Sequence, residues 1–488
     1  MRIQDIQKLY AMLPQAGAIL KIQENKSVKT VFLQGLVASA APMFFVSIAE
    51  RWKTTTVFVL NDNDEAGYFY NDLKTIAMPA DGEGKVAEVL FFPSSYRRAV
   101  KYGQRDAGNE ILRTEVLTRL SALASGADNA LPLYIVTEPS ALSELVVSKK
   151  QLDERRLTLT VDQHIDIVEV EKTLRSFGFT ETDYVYEPGQ FAVRGSIIDV
   201  YSFSNELPFR IDFFGDDIET IRSFEVETQL STERLTRVEI VPELTTMSEE
   251  KVPFLQFLPE DAVLAFKDFL YVRDAIDNIY QEGFTNQVLT EKLEGKTELE
   301  QRELEQAYRK EGQLVPASRW MNDALDFRRI EFGMNHSTSD QAKKKDGSRA
   351  TINFSTSPQP LFHKNFDLLS KTLRDYLLQG YKLYIFADSE KQTVRLRDIF
   401  DSLSDTNVSA KSENLSVAEL SGEGQNATVR ALPFTPVNRT LHEGFVDSTL
   451  KVCFFTDHQI FDRFHKYNLK SDKARQGKMA LTMKELQE

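Results

Sequence analysis

At 488 residues the chain is long enough for about three domains, and its 42% hydrophobic and 27% charged residues are those of a folded globular chain, not a disordered one. No run approaches the roughly 18 to 20 consecutive apolar residues of a membrane span, MRIQDIQKLYAMLPQ lacks the apolar core of a secretory signal, and one cysteine, Cys453, excludes an intramolecular disulfide or a thiolate cluster. The net charge of −14 argues against duplex DNA as the main ligand, because neutralising phosphates takes a basic face, and makes a protein partner in a reducing cytoplasm the expectation.

Residues 1–153 alternate short apolar runs with helical spacings. Strands are expected at Val31–Leu33, Thr56–Leu60, Val86–Phe92 and Leu133–Val136, and helices at Val46–Trp52, Asp64–Met78 and Gly108–Leu123. This rhythm predicts a parallel sheet covered on both faces with right-handed crossovers. From residue 154 the spacing tightens. After LTLTV and a helix at Ile167–Phe177, the runs FAVRGSIIDVYS, LPFRIDFFGDDIETIRSFEVET and RLTRVEIVPE are strands joined by turn residues, which predicts an inserted antiparallel α+β domain over 154–241. The α/β pattern returns over 242–357, with a strand at Ala262–Phe266 and a charged helical stretch at Glu282–Glu311. Residues 334–360 read as a flexible boundary or exposed loop. A small α/β domain follows over 358–462: helix Asn365–Gln379, strand Tyr381–Phe386, helix Glu390–Leu403, strand Val417–Leu420 and strand Val452–Phe455. The charged tail, 463–488, reads as a linker.

A parallel sheet raises nucleotide binding, yet the loop after the first strand, FLQGLVASAAPMFF, keeps only Gly35 of a phosphate loop. The second glycine, the lysine and the metal-binding hydroxyl pattern are missing. Gly295-Lys296-Thr297 lies in a charged helical stretch with no strand before it and Thr290 where the first glycine belongs, so a solvated helix is the expectation there. Asp457-His458 at a strand end reads as a polar cap. The six histidines show no metal-ligand spacing and no nucleophile motif stands out, so no catalytic residue, cofactor or metal site is assigned. Arg97, Arg98, Lys101 and Arg105, interleaved with Tyr96 and Tyr102, could touch nucleic acid but suit a solvated loop better.

Strand parity gives a positive signal. In Phe209–Phe214 alternation sends Phe209, Ile211 and Phe213 to a core and leaves Arg210, Asp212 and Phe214 on the other face. In Phe191–Gly195 it buries Phe191 and Val193 and turns Arg194 outward, with Gly195 read as a bulge or close approach. Aromatic residues with arginine are the usual anchors of protein interfaces. The competing reading has Phe214 covering a neighbouring hairpin and both arginines paired with Asp216 or Asp217. Parity alone leaves the two open.

FAVRGSIIDVYSFSNELPFRIDFFGDDIETIRSFE resembles domain 2 of the excision-repair protein UvrB, and more closely the matching domain of the bacterial transcription-repair-coupling factors, the Mfd family. FFPSSYRR and GNEILRTEVLTRL resemble the family's first UvrB-like domain, and HEGFVDSTLKVCFFTDHQIFDR the end of its following small domain. The resemblance implies an N-terminal portion of such a factor: a degenerate, helicase-like parallel sheet without nucleotide (domains 1a and 1b), domain 2 as the site that recruits UvrA, and a small third domain. It implies that Lys267-Asp268 replace the acidic pair of the ATPase strand and that the damage-probing hairpin is shortened to Ser94–Gly108. The family's UvrA contacts fall on Arg194, Arg210 and Phe214. ATP and Mg²⁺, DNA translocation and RNA polymerase binding are then expected of domains beyond this chain, as is a C-terminal domain that masks domain 2. A nucleotide-binding helicase half and a damaged-DNA scaffold are the alternatives.

Overall fold

The computed structural model describes residues 3–78, 84–95, 107–126, 131–244, 250–282, 313–335, 348–387, 389–409 and 434–463. The chain opens with helices α1 (Ile3–Ala11) and α2 (Pro14–Glu24), then alternates strand and helix: β1 (Val28–Gln34), α3 (Ala40–Ile48), β2 (Thr56–Val59), α4 (Asn63–Ala77), β3 (Glu88–Phe92), α5 (Ala107–Ala124), β4 (Leu133–Thr137) and α6 (Pro139–Ser143). After β5 (Leu145–Val147) and α7 (Lys149–Glu154) comes the insert. It holds β6 (Leu157–Thr160), α8 (Ile167–Ser176), β7 (Thr180–Glu181), β8 (Gln190–Arg194), β9 (Ile197–Val200), β10 (Phe209–Phe214), β11 (Asp217–Phe224), β12 (Ser231–Leu235) and β13 (Arg237–Ile240). The chain returns through β14 (Lys251–Pro253), β15 (Val263–Phe266), α9 (Phe269–Glu282), α10 (Ala317–Ala324), β16 (Arg328–Gly333) and β17 (Ser348–Asn353). It ends in β18 (Thr356–Pro358), α11 (Phe366–Leu378), β19 (Lys382–Phe386), α12 (Glu390–Ser409), β20 (Thr435–Val437), β21 (Phe445–Asp447), β22 (Val452–Thr456) and α13 (Asp457–Ile460).

The architecture is mixed α/β with several sheets. Strands from both sides of the insert build one seven-stranded sheet in the order β17-β1-β16-β15-β2-β4-β3, and every pairing in it is parallel. Strands buried on both faces explain the unbroken apolar runs. Parity splits them cleanly: Phe58, Tyr134 and Val136 face a core with α1, α3 and α4, while Val57, Leu133 and Ile135 face one with α5, α6, α9 and α10. One expectation is corrected here. Ser348–Asn353, read from its polar sequence as loop, is β17, an edge strand along β1; an edge strand has one unpaired side in water and needs no apolar run. Residues 283–311 of the predicted charged helix, with Lys296 and Thr297, the strand at 417–420 and the tail after Arg463 lie outside the described residues.

The insert's main sheet runs β12-β11-β10-β9-β8-β7, antiparallel except where β7 joins β8. Its inner face, including Phe191, Ile198, Val200, Phe209 and Ile211, packs on Val170 and Leu174 of α8. The chain passes into and out of the insert along two antiparallel ribbons, β5 with β14 and β6 with β13.

The small domain has the strand order β18-β21-β22-β19-β20. One face, with Leu383, Ile385, Cys453 and Phe455, packs on Leu369 and Leu373 of α11 and Leu396 of α12. The other face contributes Tyr384, Phe386, Phe445 and Phe454 to the core of the first domain, and Tyr10 donates to Asp447 across that junction (2.8 Å). Burial pushes the Cys453 thiol up to about 12, so it behaves as a packing residue.

Candidate protein-docking face

Two tight turns fix the geometry of the candidate surface. Arg194 and Ile197 close β8 onto β9 around Gly195-Ser196, and Phe214 and Asp217 close β10 onto β11 around Gly215-Asp216. Gly195 (φ 62°) and Gly215 (φ 64°) occupy the left-handed region such turns require. A Cβ at Gly195 would meet nothing within 4 Å, so the residue serves the turn, and the expected bulge or close approach is corrected.

Pairing register then sets the outer face. Ala192 lies opposite Asp199, Asp199 opposite Arg210, Arg210 opposite Arg222, and Arg222 opposite Arg234. The next row holds Arg194 opposite Ile197, and Asp212 between Ile197 and Thr220. Phe214 ends the face, 77% exposed, whereas Phe213, its chain neighbour, is buried on the inner side.

The centre of the face is Asp199, whose side chain is fully covered. Arg210 grips it bidentately, Nε to Oδ1 at 2.7 Å and Nη2 to Oδ2 at 2.8 Å, a geometry that combines charge with orientation. Those hydrogen bonds hold the Arg210 guanidinium above its usual range. Arg210 also donates from Nη1 to the carbonyl of Gln229 (3.1 Å) and lies 4.5 Å over the Phe224 ring. Arg194 reaches the same carboxylate through Nη2 and lies 5.0 Å over the Tyr184 ring. Arg222 holds Asp212 through Nη2, and Thr220 donates to the same Oδ2 at 2.7 Å.

The competing pairing is therefore corrected: neither arginine meets Asp216 or Asp217. Asp217 bonds His164 (2.9 Å), and the Asp216 carbonyl accepts from the Ile165 amide (2.7 Å). The three candidate side chains do share one face, with unequal access. Arg194 is 36% exposed and Arg210 only 16%, because one end of the face is covered: Ala192, Tyr201 and Phe224 pack with Ile111 of α5 and with Val185 and Val226. Asp199, Arg222 and Arg234 escaped sequence reading, although a lone aspartate in the apolar run SIIDVYS was a usable sign of a buried partner.

At the carboxyl end of β1, Gly35 (φ 80°) leads into α3. A Cβ there would run into the carbonyl of Phe354, and Thr356 bonds the Gly35 carbonyl. The Val37 amide is bound by Thr356 Oγ1 (3.2 Å), and Leu36 is buried. Ser39, which precedes α3, donates to Asp72 (2.5 Å) and accepts from the Glu443 amide (2.9 Å), while the His442 amide bonds Asp72 (2.8 Å). The small domain thus sets residues 442–443 against the start of α3, and His442 stacks on Tyr68 with ring centroids 3.6 Å apart. Burial, partly offset by these hydrogen bonds, pushes Asp72 up to about 7. Lys267, at the end of β15, pairs with Glu65, and Asp268 accepts from the Tyr271 amide (2.9 Å). Asp457 opens α13 and pairs with Arg463 at 2.5 Å, and His458 Nε2 meets the His442 carbonyl at 2.8 Å. Among the described residues no three His, Cys, Asp or Glu side chains group as a metal site. Arg97, Arg98, Lys101 and Arg105 lie outside the described residues.

Residues 157–245, which hold the insert and this candidate face, match the UvrB interaction domain family. Transcription-repair-coupling factors from several bacteria match parts of the chain. That of Bacillus subtilis is 24% identical over 245 residues, covering 50% of this chain and 20% of the relative. That of Borreliella burgdorferi is 25% identical over 291 residues, covering 56% and 26%. That of Staphylococcus aureus (strain bovine RF122 / ET3-1) is 31% identical over 157 residues, covering 32% and 13%. The chain is a relative of the transcription-repair-coupling factors. The matches span about a quarter or less of the length of these relatives. The parallel sheet with its helices and the additional antiparallel sheets are consistent with the UvrB-like domains that the sequence motifs implied.

Proposed function

We propose that this chain is the adaptor portion of a transcription-coupled repair factor and that its insert recruits UvrA by presenting Arg194, Arg210 and Phe214. One observation carries the reading: a phenylalanine 77% exposed at a strand end, on the same face as two arginines locked by a covered aspartate. An exposed aromatic beside preorganised guanidiniums is the composition of an interface hot spot, where ordering side chains costs little at the moment of binding. Arg194 and Phe214 supply the direct contact. Arg210, mostly covered, contributes chiefly by holding the carboxylate that positions Arg194.

No nucleotide chemistry is assigned to the chain. A phosphate at the start of α3 would face the Asp72 carboxyl and residues 442–443, in a loop without the cationic side chain that phosphate loops use. On this reading translocation along DNA, ATP and Mg²⁺ use, RNA polymerase contact and masking of the face belong to other parts of such a factor.

The test is UvrA capture. Arg194→Ala and Phe214→Ala should each lower affinity by roughly 30- to 1000-fold, the loss of about 2 to 4 kcal/mol typical of an anchor, with the thermal midpoint unchanged. Wild-type binding in both would remove the reading. Saturable uptake of a fluorescent ATP analogue with Mg²⁺ would overturn the second part.

A further inference from the structure

The docking face does not end at Arg210. Three arginines, Arg210, Arg222 and Arg234, stand directly opposite one another on three adjacent strands. Like charges in such positions, with Cβ atoms about 5 Å apart, repel and destabilise a sheet. Internal compensation is incomplete. Asp199 is shared by Arg194 and Arg210, and Asp212 serves Arg222. The Arg222 Nε is buried without an acceptor. Arg234, exposed on the edge strand β12, has no ion pair or side-chain hydrogen bond among the described residues. Three guanidiniums thus share two carboxylates and the fourth has no ion pair among the described residues, in a chain whose net charge is −14; Asp217, at the hairpin tip, is engaged by His164. Leu230, just before β12, is a further exposed apolar residue of the insert, at 68%.

We propose that Arg222 and Arg234 form a second contact zone of this face, which takes a run of carboxylates on the same protein partner that Arg194 and Phe214 anchor. The inference rests on the UvrA reading above. Duplex phosphates could satisfy guanidiniums too, but the exposed Phe214 and Leu230 and the strongly acidic chain around the patch favour a protein surface with mixed acidic and apolar character. Rim charges of this kind act mainly through long-range attraction, so their contribution must fade as salt rises.

The experiment measures UvrA affinity for the full chain between about 0.05 and 0.5 M salt, using wild type, Arg234→Glu, Arg222→Gln, and Phe214→Ala as the anchor control. Among the described residues Arg234 has no ion pair or side-chain hydrogen bond to lose, so Arg234→Glu should fold as wild type. It should bind UvrA about tenfold more weakly at low salt and show a flatter salt dependence, converging with wild type at high salt. Arg222→Gln should behave alike with a smaller effect. If both match wild type at every salt concentration while Phe214→Ala fails to bind, the second zone is wrong and the anchor reading stands. If Phe214→Ala also binds normally, both fall. If a duplex oligonucleotide displaces UvrA and Arg234→Glu removes that competition, the zone is a phosphate site and the proposal is overturned.

Discussion

Asp199→Ala tests whether the covered carboxylate organises the docking face. Asp199 is fully covered and accepts from two arginines. Removing it frees Arg194, already 36% exposed, to turn into water at little cost. Arg210 is held by its bond to Gln229 and its stacking on Phe224 and is only 16% exposed, so it keeps a charge in a place it cannot hydrate. Breaking a buried pair costs about 3 to 5 kcal/mol, and with only one of two cations stranded the lower end, about 3 kcal/mol, is expected. A loss confined to the insert is read most directly where it occurs. The assay is hydrogen exchange at the amides of β9 and β10, which should accelerate by about 100-fold if that energy is lost locally. The double substitution Asp199→Leu with Arg210→Met should restore much of the protection, because an apolar pair of similar volume avoids the desolvation penalty. It should not restore UvrA binding, because Arg194 has lost its holder. Unchanged exchange in Asp199→Ala together with unchanged UvrA affinity would refute the positioning role.

Two predictions concern the junction between the first and third domains. Folding raises Asp72 from 3.8 to about 7, so its contribution is fully present below about pH 4 and is lost as pH rises through 7. The displacement corresponds to roughly 4 kcal/mol. Urea midpoints of Asp72→Asn should therefore gain on wild type between pH 4 and pH 8, and a constant difference would show that the carboxyl does not titrate in this way. Gly35→Ala forces a left-handed backbone on an L-residue and drives its Cβ into the Phe354 carbonyl. A loss of about 3 kcal/mol is expected, and an unchanged thermal midpoint would refute it.

The legible parts of this chain were those governed by period. Fully buried runs such as TVFV and LYIVT are strands because neither face can be polar, and the alternation in FRIDFF assigned each side chain to its observed side. β17 was missed because SRATIN is an edge strand, whose partner β1 arrives from more than three hundred residues earlier in the chain. The charge partners were missed for a related reason. Asp216 and Asp217 are nearest to Phe214 in sequence, but register brings Asp199 to Arg210 across a strand pair. The role of the small domain was likewise invisible, since burying Tyr384 and Phe454 against the first domain takes both faces of its sheet into cores, which local patterning cannot apportion.

The two ribbons at the base of the insert, β5 with β14 and β6 with β13, bear on how the parallel sheet is assembled. Were residues 148–250 an open loop, joining their ends would cost the sheet about 4 kcal/mol of chain entropy, and a longer insert would cost more. Zipped at its neck, the insert settles that cost within its own folding, and β4 and β15 are linked as if by a short connection. Tolerance of the sheet to the size of what it carries is thus set at the neck, and lengthening loops at the far end of the insert should leave the assembly of the parallel strands unchanged.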